Sequence, residues 1–238
     1  MMDGERPSNI VHAVLGAVSF FFAMAGTAIA ATNTTFIIAP TEKSPSISNE
    51  LRIGGTACLH DNEEIVRLAA ETGNVAAMTI LGEMHLSGVC LARNQDVAIE
   101  YLSRAASLGH TRAAYLLGEV YFTDQDGFAD RQLAAQFFRQ AGERGHHHAS
   151  HRLGLLILTE ATSSTERLEG LSWLGAAASY GHSLSAASIA MIHERGMYGV
   201  DTDICWALDW YHAAEAMGLD YLRDHRSDLE AEWAHRCY

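Results

Sequence analysis

A glycine recurs along the chain at Gly73, Gly109, Gly145, Gly181 and Gly218, with successive spacings of 36, 36, 36 and 37 residues. A second mark runs nine residues behind the first, as Leu81-Gly82, Leu117-Gly118, Leu153-Gly154 and the weaker Ile189-Ala190. Self-similarity at a fixed period of this length is the signature of a solenoid. One such repeat cannot bury its apolar face alone, so neighbours must cover it, and the product is a continuous core with an extended surface.

Registered on the glycines, each period holds two helical patterns. Large residues stand eight and seven positions before each ruler glycine: Ile65-Val66, Tyr101-Leu102, Phe137-Phe138, Trp173-Leu174 and Trp210-Tyr211. Small ones stand four and three before it: Ala69-Ala70, Ala105-Ala106, Ala141-Gly142, Ala177-Ala178 and Ala214-Glu215. Residues four apart share a helix face, so large and small side chains together seat one helix closely on another. The helix then ends at glycine, which tolerates the left-handed terminal conformation. After the glycine a small residue (Ala77, Ala113, Ala149 or Ser185) leads to the Leu-Gly pair and then to His85, Tyr121, Ile157 or His193. Each period therefore reads as an antiparallel helical hairpin. Helices are predicted over 60–72, 75–87, 95–108, 111–123, 130–144, 147–160, 166–180, 183–195, 203–217 and 220–235, an all-α solenoid. The extra residue in the last spacing falls in the turn Gly196-Met197-Tyr198-Gly199-Val200.

The 238 residues are 48% hydrophobic and 19% charged, which leaves ample material for a core. A formal charge of −13 lacks the basic footprint that a nucleic-acid partner requires. From Ile10 to Ala31 the chain is apolar and closes on Ala28-Ile29-Ala30, the small-residue end of a secretory signal. The same stretch is long enough to span a bilayer, so residues 1–30 read as a signal peptide or an uncleaved signal anchor. Residues 31–55 read as a flexible spacer and 56–238 as the repeat domain. Either reading of the leader exports the repeats, to the periplasm or beyond, with membrane contact only through an uncleaved N-terminal segment. Export makes Cys58, Cys90, Cys205 and Cys237 candidates for disulfides. Of the three possible pairings the spacing favours Cys58 with Cys90 and Cys205 with Cys237, both 32 apart. Each bond would staple a terminal repeat and contribute about 3–4 kcal/mol if unstrained. The alternative is four buried thiols that only pack.

The pattern resembles the Sel1-like repeat family, a class related to the tetratricopeptide repeats. The resemblance rests on Leu117-Gly118-Glu119-Val120-Tyr121, Gly199-Val200 with Asp203, Ala207, Trp210-Tyr211, and the pairs Gly109-His110, Gly145-His146 and Gly181-His182. It covers about residues 60 to 218; Ile157, His85 and His193 depart from the family tyrosine, and the third repeat lacks the glycine turn. The acidic and basic residues after Leu219 suggest a polar capping helix. The resemblance implies a right-handed α-solenoid of about four repeats plus flanking half-repeats. It also implies an adaptor or regulator that binds another protein in the bacterial envelope, of the kind that restrains an envelope sensor or an exopolysaccharide pathway. No enzyme activity, cofactor or metal is implied. A concave face built from the first helix of each repeat would offer Thr79, Glu83, Tyr115, Glu119, Phe122, His151, Arg152 and Leu155 to that partner. The alternative comes from cysteine-rich secreted members that resemble weak β-lactam-binding or β-lactam-hydrolysing proteins. Those carry cysteines paired eight apart, a spacing this chain lacks.

His146-His147-His148 with His151 is the one run that suggests metal chemistry, because His147 and His151 share a helix face. Two histidines fall short of the usual three or four ligands, and His146 occupies the repeat's own Gly-His position. His85 and His193 read as packing residues. Asp124, Asp126 and Asp130 lack the length and the glycine and glutamate of a calcium loop, so they read as a solvated turn. Phosphate-binding loops, nucleophile elbows and metalloprotease helices do not occur.

Overall fold

At every ruler glycine the backbone turns left-handed, with φ between +82° and +97° at Gly73, Gly109, Gly145, Gly181 and Gly218. The next residue then donates its N–H back five positions: His110 to Ala105 at 3.0 Å, His146 to Ala141 at 3.1 Å and His182 to Ala177 at 3.1 Å. This is the Schellman closure, which satisfies a helix-end carbonyl while reversing the chain.

The computed structural model describes residues 60–123 and 129–237. The proposed leader and spacer, Cys58, Asp124 and Asp126 lie outside the described residues. Among the described residues there are ten α-helices and no strand: α1 His60–Glu71, α2 Val75–Ser87, α3 Gln95–Ser107, α4 Thr111–Phe122, α5 Arg131–Gly142, α6 His147–Glu160, α7 Ser164–Ser179, α8 Ser183–Arg195, α9 Ile204–Ala216 and α10 Arg223–Cys237. Single 3-10 turns, Met197–Gly199 and Asp220–Leu222, precede α9 and α10. Helices pair consecutively as the hairpins α2–α3, α4–α5, α6–α7 and α8–α9, each packed on the next, with α1 and α10 closing the ends. This is the α-solenoid that the period requires.

The helix limits follow the capping chemistry. Helix α7 begins at Ser164 rather than at the expected 166, because the Ser163 hydroxyl and the Glu166 carboxylate form a reciprocal capping box. Helix α5 begins after Asp130, whose carboxylate accepts from Gln132 and Leu133 at 2.9 Å. The last helix starts at Arg223 and not 220, since the chain first makes the 3-10 turn at Asp220–Leu222.

The Leu-Gly pairs divide two tasks. Leu81, Leu117, Leu153 and Ile189 enter the core. Their neighbours make room for the large residue of the paired helix. A Cβ on Gly82 would stand 2.5 Å from Leu102 and one on Gly118 the same distance from the Phe138 ring. One on Gly154 would stand 2.9 Å from Leu174. Leu102, Phe138, Leu174 and Tyr211, one per period, are accordingly buried. The expected large-against-small face is thus the seam of each hairpin.

A disulfide joins Cys205 at the start of α9 to Cys237 at the end of α10, with the Cα atoms 5.1 Å apart. Cys90 is disulfide-bonded as well. It sits in the first hairpin turn with φ +69°, just after the left-handed cap Gly88.

Candidate protein-docking face

The first helices α2, α4, α6 and α8 share one side of the stack, where α2 touches α4 and α4 touches α6 across the repeat boundaries. Each starts on an imidazole or its amide equivalent. Asn74 accepts from Ala77 N–H at 3.0 Å, His110 from Ala113 at 3.4 Å and His146 from Ala149 at 3.2 Å, the histidines through Nδ1. The Gly109-His110 and Gly145-His146 steps therefore each end one helix and cap the next. For His146, burial lowers the pKa to about 4, so the ring that accepts through Nδ1 carries its proton on Nε2 and is neutral. His182 differs: its Nδ1 faces the Ser185 hydroxyl at 2.8 Å.

On this side the side chains are tied across repeats. Arg112 of α4 bonds Glu83 of α2. Arg152 of α6 meets Glu119 of α4 through two contacts, Nε to Oε1 at 2.9 Å and Nη2 to Oε2 at 3.1 Å. The Arg152 guanidinium also lies over the Phe122 ring, 5.4 Å from its centroid. Tyr115 stacks on His146 with centroids 4.5 Å apart and meets His148 at 6.3 Å. Burial, and then the Glu119 charge, raise the Tyr115 hydroxyl above its ordinary pKa, so it stays a neutral donor and acceptor. The result is a half-exposed strip of alternating charge and aromatic surface over three hairpins.

The expected contact residues divide. Glu83, Tyr115, Glu119, Phe122 and Arg152 share this strip. His151 lies at its end, Nδ1 2.9 Å from Ser185 Oγ, while Leu155 packs against the core around α8. Thr79 is a correction: only 2% exposed, it donates to Val75 O and shares a 3.0 Å contact with His110 Nδ1, so it joins repeats instead of facing a partner. Its position, two residues before the Leu-Gly pair, turns inward toward the next cap. Sequence reasoning missed Arg112 and Ser185. Arg112 carries no periodic signal, but Ser185 does, standing where the other repeats have Ala77, Ala113 and Ala149.

The histidine run gathers differently from expectation. His147 and His151 do not form an isolated pair; His148 and His182 join them around one point, with centroids of 147 and 148 at 4.3 Å, and of 148 and 182 and of 151 and 182 at 4.8 Å. Among the described residues no three His, Cys, Asp or Glu side chains are arranged to hold a metal ion. His85 takes a structural place, bonding Ala92 O at 3.2 Å and stacking on Tyr101. His193 sits edge-on to Trp206. No helix among the described residues is long and apolar enough to cross a membrane.

The family model for the Sel1 repeat matches residues 75–110, 111–146 and 183–219. The unmatched stretch 147–182 still folds as the equivalent hairpin α6–α7. Among solved structures the chain is similar to a protective antigen of uropathogenic Escherichia coli displaying an SLR fold, with 24% identity and a TM-score of 0.62 over 74% of this chain and 37% of that one. It is also similar to a Sel1 repeat protein from Oxalobacter formigenes, with 21% identity and a TM-score of 0.58 over 72% and 74% of the two chains. The chain thus spans little more than a third of the Escherichia coli protein, and at these identities the likeness is one of fold. No curated protein matches the chain.

Proposed function

The chain carries Sel1 repeats, which are generally protein–protein interaction modules, and from that premise we propose that it is an exported adaptor whose first-helix face receives another protein. The observation that carries this reading is the strip Tyr115, Glu119, Phe122 and Arg152. Its side chains are held by one another across a repeat boundary while still reaching solvent. A surface ordered before binding loses less side-chain entropy when a partner docks. Arg and aromatic side chains are also those that dominate interface energies.

Export is supported by the apolar Ile10–Ala31 stretch and by the Cys205–Cys237 bond, since disulfides persist in oxidising compartments. The function proposed for such a module is regulatory: it restrains an envelope sensor or an exopolysaccharide pathway by occupying one of its components, and it performs no catalysis itself.

The test is affinity capture from an envelope fraction with the full chain and with Tyr115→Ala and Arg152→Glu variants whose thermal melting is checked in parallel. A defined partner retained by the parent and lost, about tenfold or more, by folded variants supports the reading, since an interface anchor is worth about 2 kcal/mol or more. A partner that binds all three equally, or none at all, overturns it.

A further inference from the structure

Where the third hairpin meets the fourth, His147, His148 and His151 of α6 crowd His182 at the head of α8, and His146 lies against His147 and His148. The Ser185 hydroxyl is shared between two of these rings, 2.8 Å from His182 Nδ1 and 2.9 Å from His151 Nδ1. A hydroxyl has one proton, so it can donate to only one ring; the other must carry its proton on Nδ1 and donate to Oγ. At least one of His151 and His182 therefore carries a proton on Nδ1, and the Ser185 hydroxyl bridges the two rings. At its centre Ser185 is buried and His182 is only 8% exposed, while His146, His147 and His151 are half-buried and His148 is exposed.

The surroundings offer no charge that would welcome protons. From α4 come Arg112 and the neutral Tyr115, which stacks on His146. From α6 itself comes Arg152, whose Glu119 partner it already engages at two points. Tyr180, at the end of α7, lies against Gly145 beside His146, and α8 contributes Ser185. The remaining neighbours are the imidazoles themselves.

We propose that this cluster is a pH-operated joint: proton uptake by His151 and His182 sets two like charges against the same Ser185 hydroxyl, unseats the start of α8 from the third hairpin, and lets the fourth hairpin move relative to the third. Burial first, and then neighbouring cations and imidazoles, hold His146, His151 and His182 down at about 4. An opened joint would titrate at the free value of about 6.5 and so bind more protons than the closed one. The closed state is therefore fully favoured above about 6.5 and progressively lost as the pH falls toward 4. Inside that window each imidazole raises the opening constant about tenfold per pH unit. This device stands or falls independently of any partner at the docking face.

Hydrogen exchange on the full chain in EDTA, between pH 7 and 4.5 and corrected for intrinsic rates, tests it. The expected result is that opening at the first turn of α8 grows more than tenfold while α3 and α4 change little. A His151→Gln, His182→Asn double variant should flatten that response, since asparagine already caps α2 and α3. The control His235→Gln, in α10, should leave it intact. An equal response in the double variant, a response spread uniformly over all hairpins, or none in the parent overturns the proposal. Should the double variant fail to fold, NMR titration of the parent decides: His151 and His182 titrating near 4 together with a shift of Ser185 supports the joint, and titration near 6.5 rejects it.

Discussion

Gly154 faces the carbonyl oxygen of Gly170 across the third hairpin, so that a Cβ added there would stand 2.8 Å from backbone and 2.9 Å from Leu174. Backbone cannot move aside as a side-chain tip can, and Gly154→Ala is expected to cost about 1–3 kcal/mol through overpacking. Gly175, in the same hairpin, is the internal control: a Cβ there meets nothing within 4 Å. Gly175→Ala should stabilise by about 0.5–1 kcal/mol, the helix-propensity difference between the two residues. Urea melts of both variants, moving in opposite directions, check the pair; destabilisation by Gly175→Ala would contradict the packing described. The period alone made Gly82, Gly118 and Gly154 conspicuous. It did not reveal Gly170, whose counterparts are Ala98, Ala134 and Ala207, because the need for glycine there comes from the opposing helix and from Leu158.

Helix ends carry the next set of expectations. Asp130 is exposed and caps α5 with two backbone bonds, so Asp130→Ala should cost about 1 kcal/mol, and Asp130→Asn or Asp130→Ser should recover most of it. Thermal melting of the three variants makes the comparison. At the other end of the chain the Cys205–Cys237 bond closes a loop of 32 residues between the start of α9 and the end of α10. Loop-closure entropy for that length is worth about 3–4 kcal/mol, and the matched Cys205→Ser, Cys237→Ser double variant should lose it, read as a lowered denaturation midpoint. Helix α10 is otherwise held by Leu229 packed on the core and by charge: Arg226 to Glu215 at 2.8 Å, Arg223 to Glu215 at 2.6 Å, and His225 to Glu194 at 3.1 Å. Partly exposed pairs of this kind contribute little singly, which is why the covalent tie matters at this position. Ten helices were legible from periodicity. Their ends were less so, because caps such as the Ser163–Glu166 box act within a turn and leave no trace at the period of the repeat.

In a stack whose hairpins contact only their neighbours, stability is a sum of local terms, and the ends have one neighbour each. Native-state hydrogen exchange should therefore find the highest protection in α4 to α7 and the lowest in α1 and α10. Deleting residues 220–238 should lower protection in α9 and α8, whose Tyr211 and Glu194 lose the His225 contacts, and leave α2 to α5 unaffected. A uniform loss across all hairpins would mean one cooperative block instead of an array. Fold and register were fixed by sequence, because period, glycine turn and large-against-small spacing are local and repeat four times over. The docking strip and the histidine joint were not, because both depend on side chains 29 to 34 residues apart meeting across a repeat boundary. Periodicity placed Thr79 on the binding side; the stack turned it inward against His110. It marked His146 and His182 as repeat positions; only the assembled stack shows that burial first, and then neighbouring rings, hold their pKa values down.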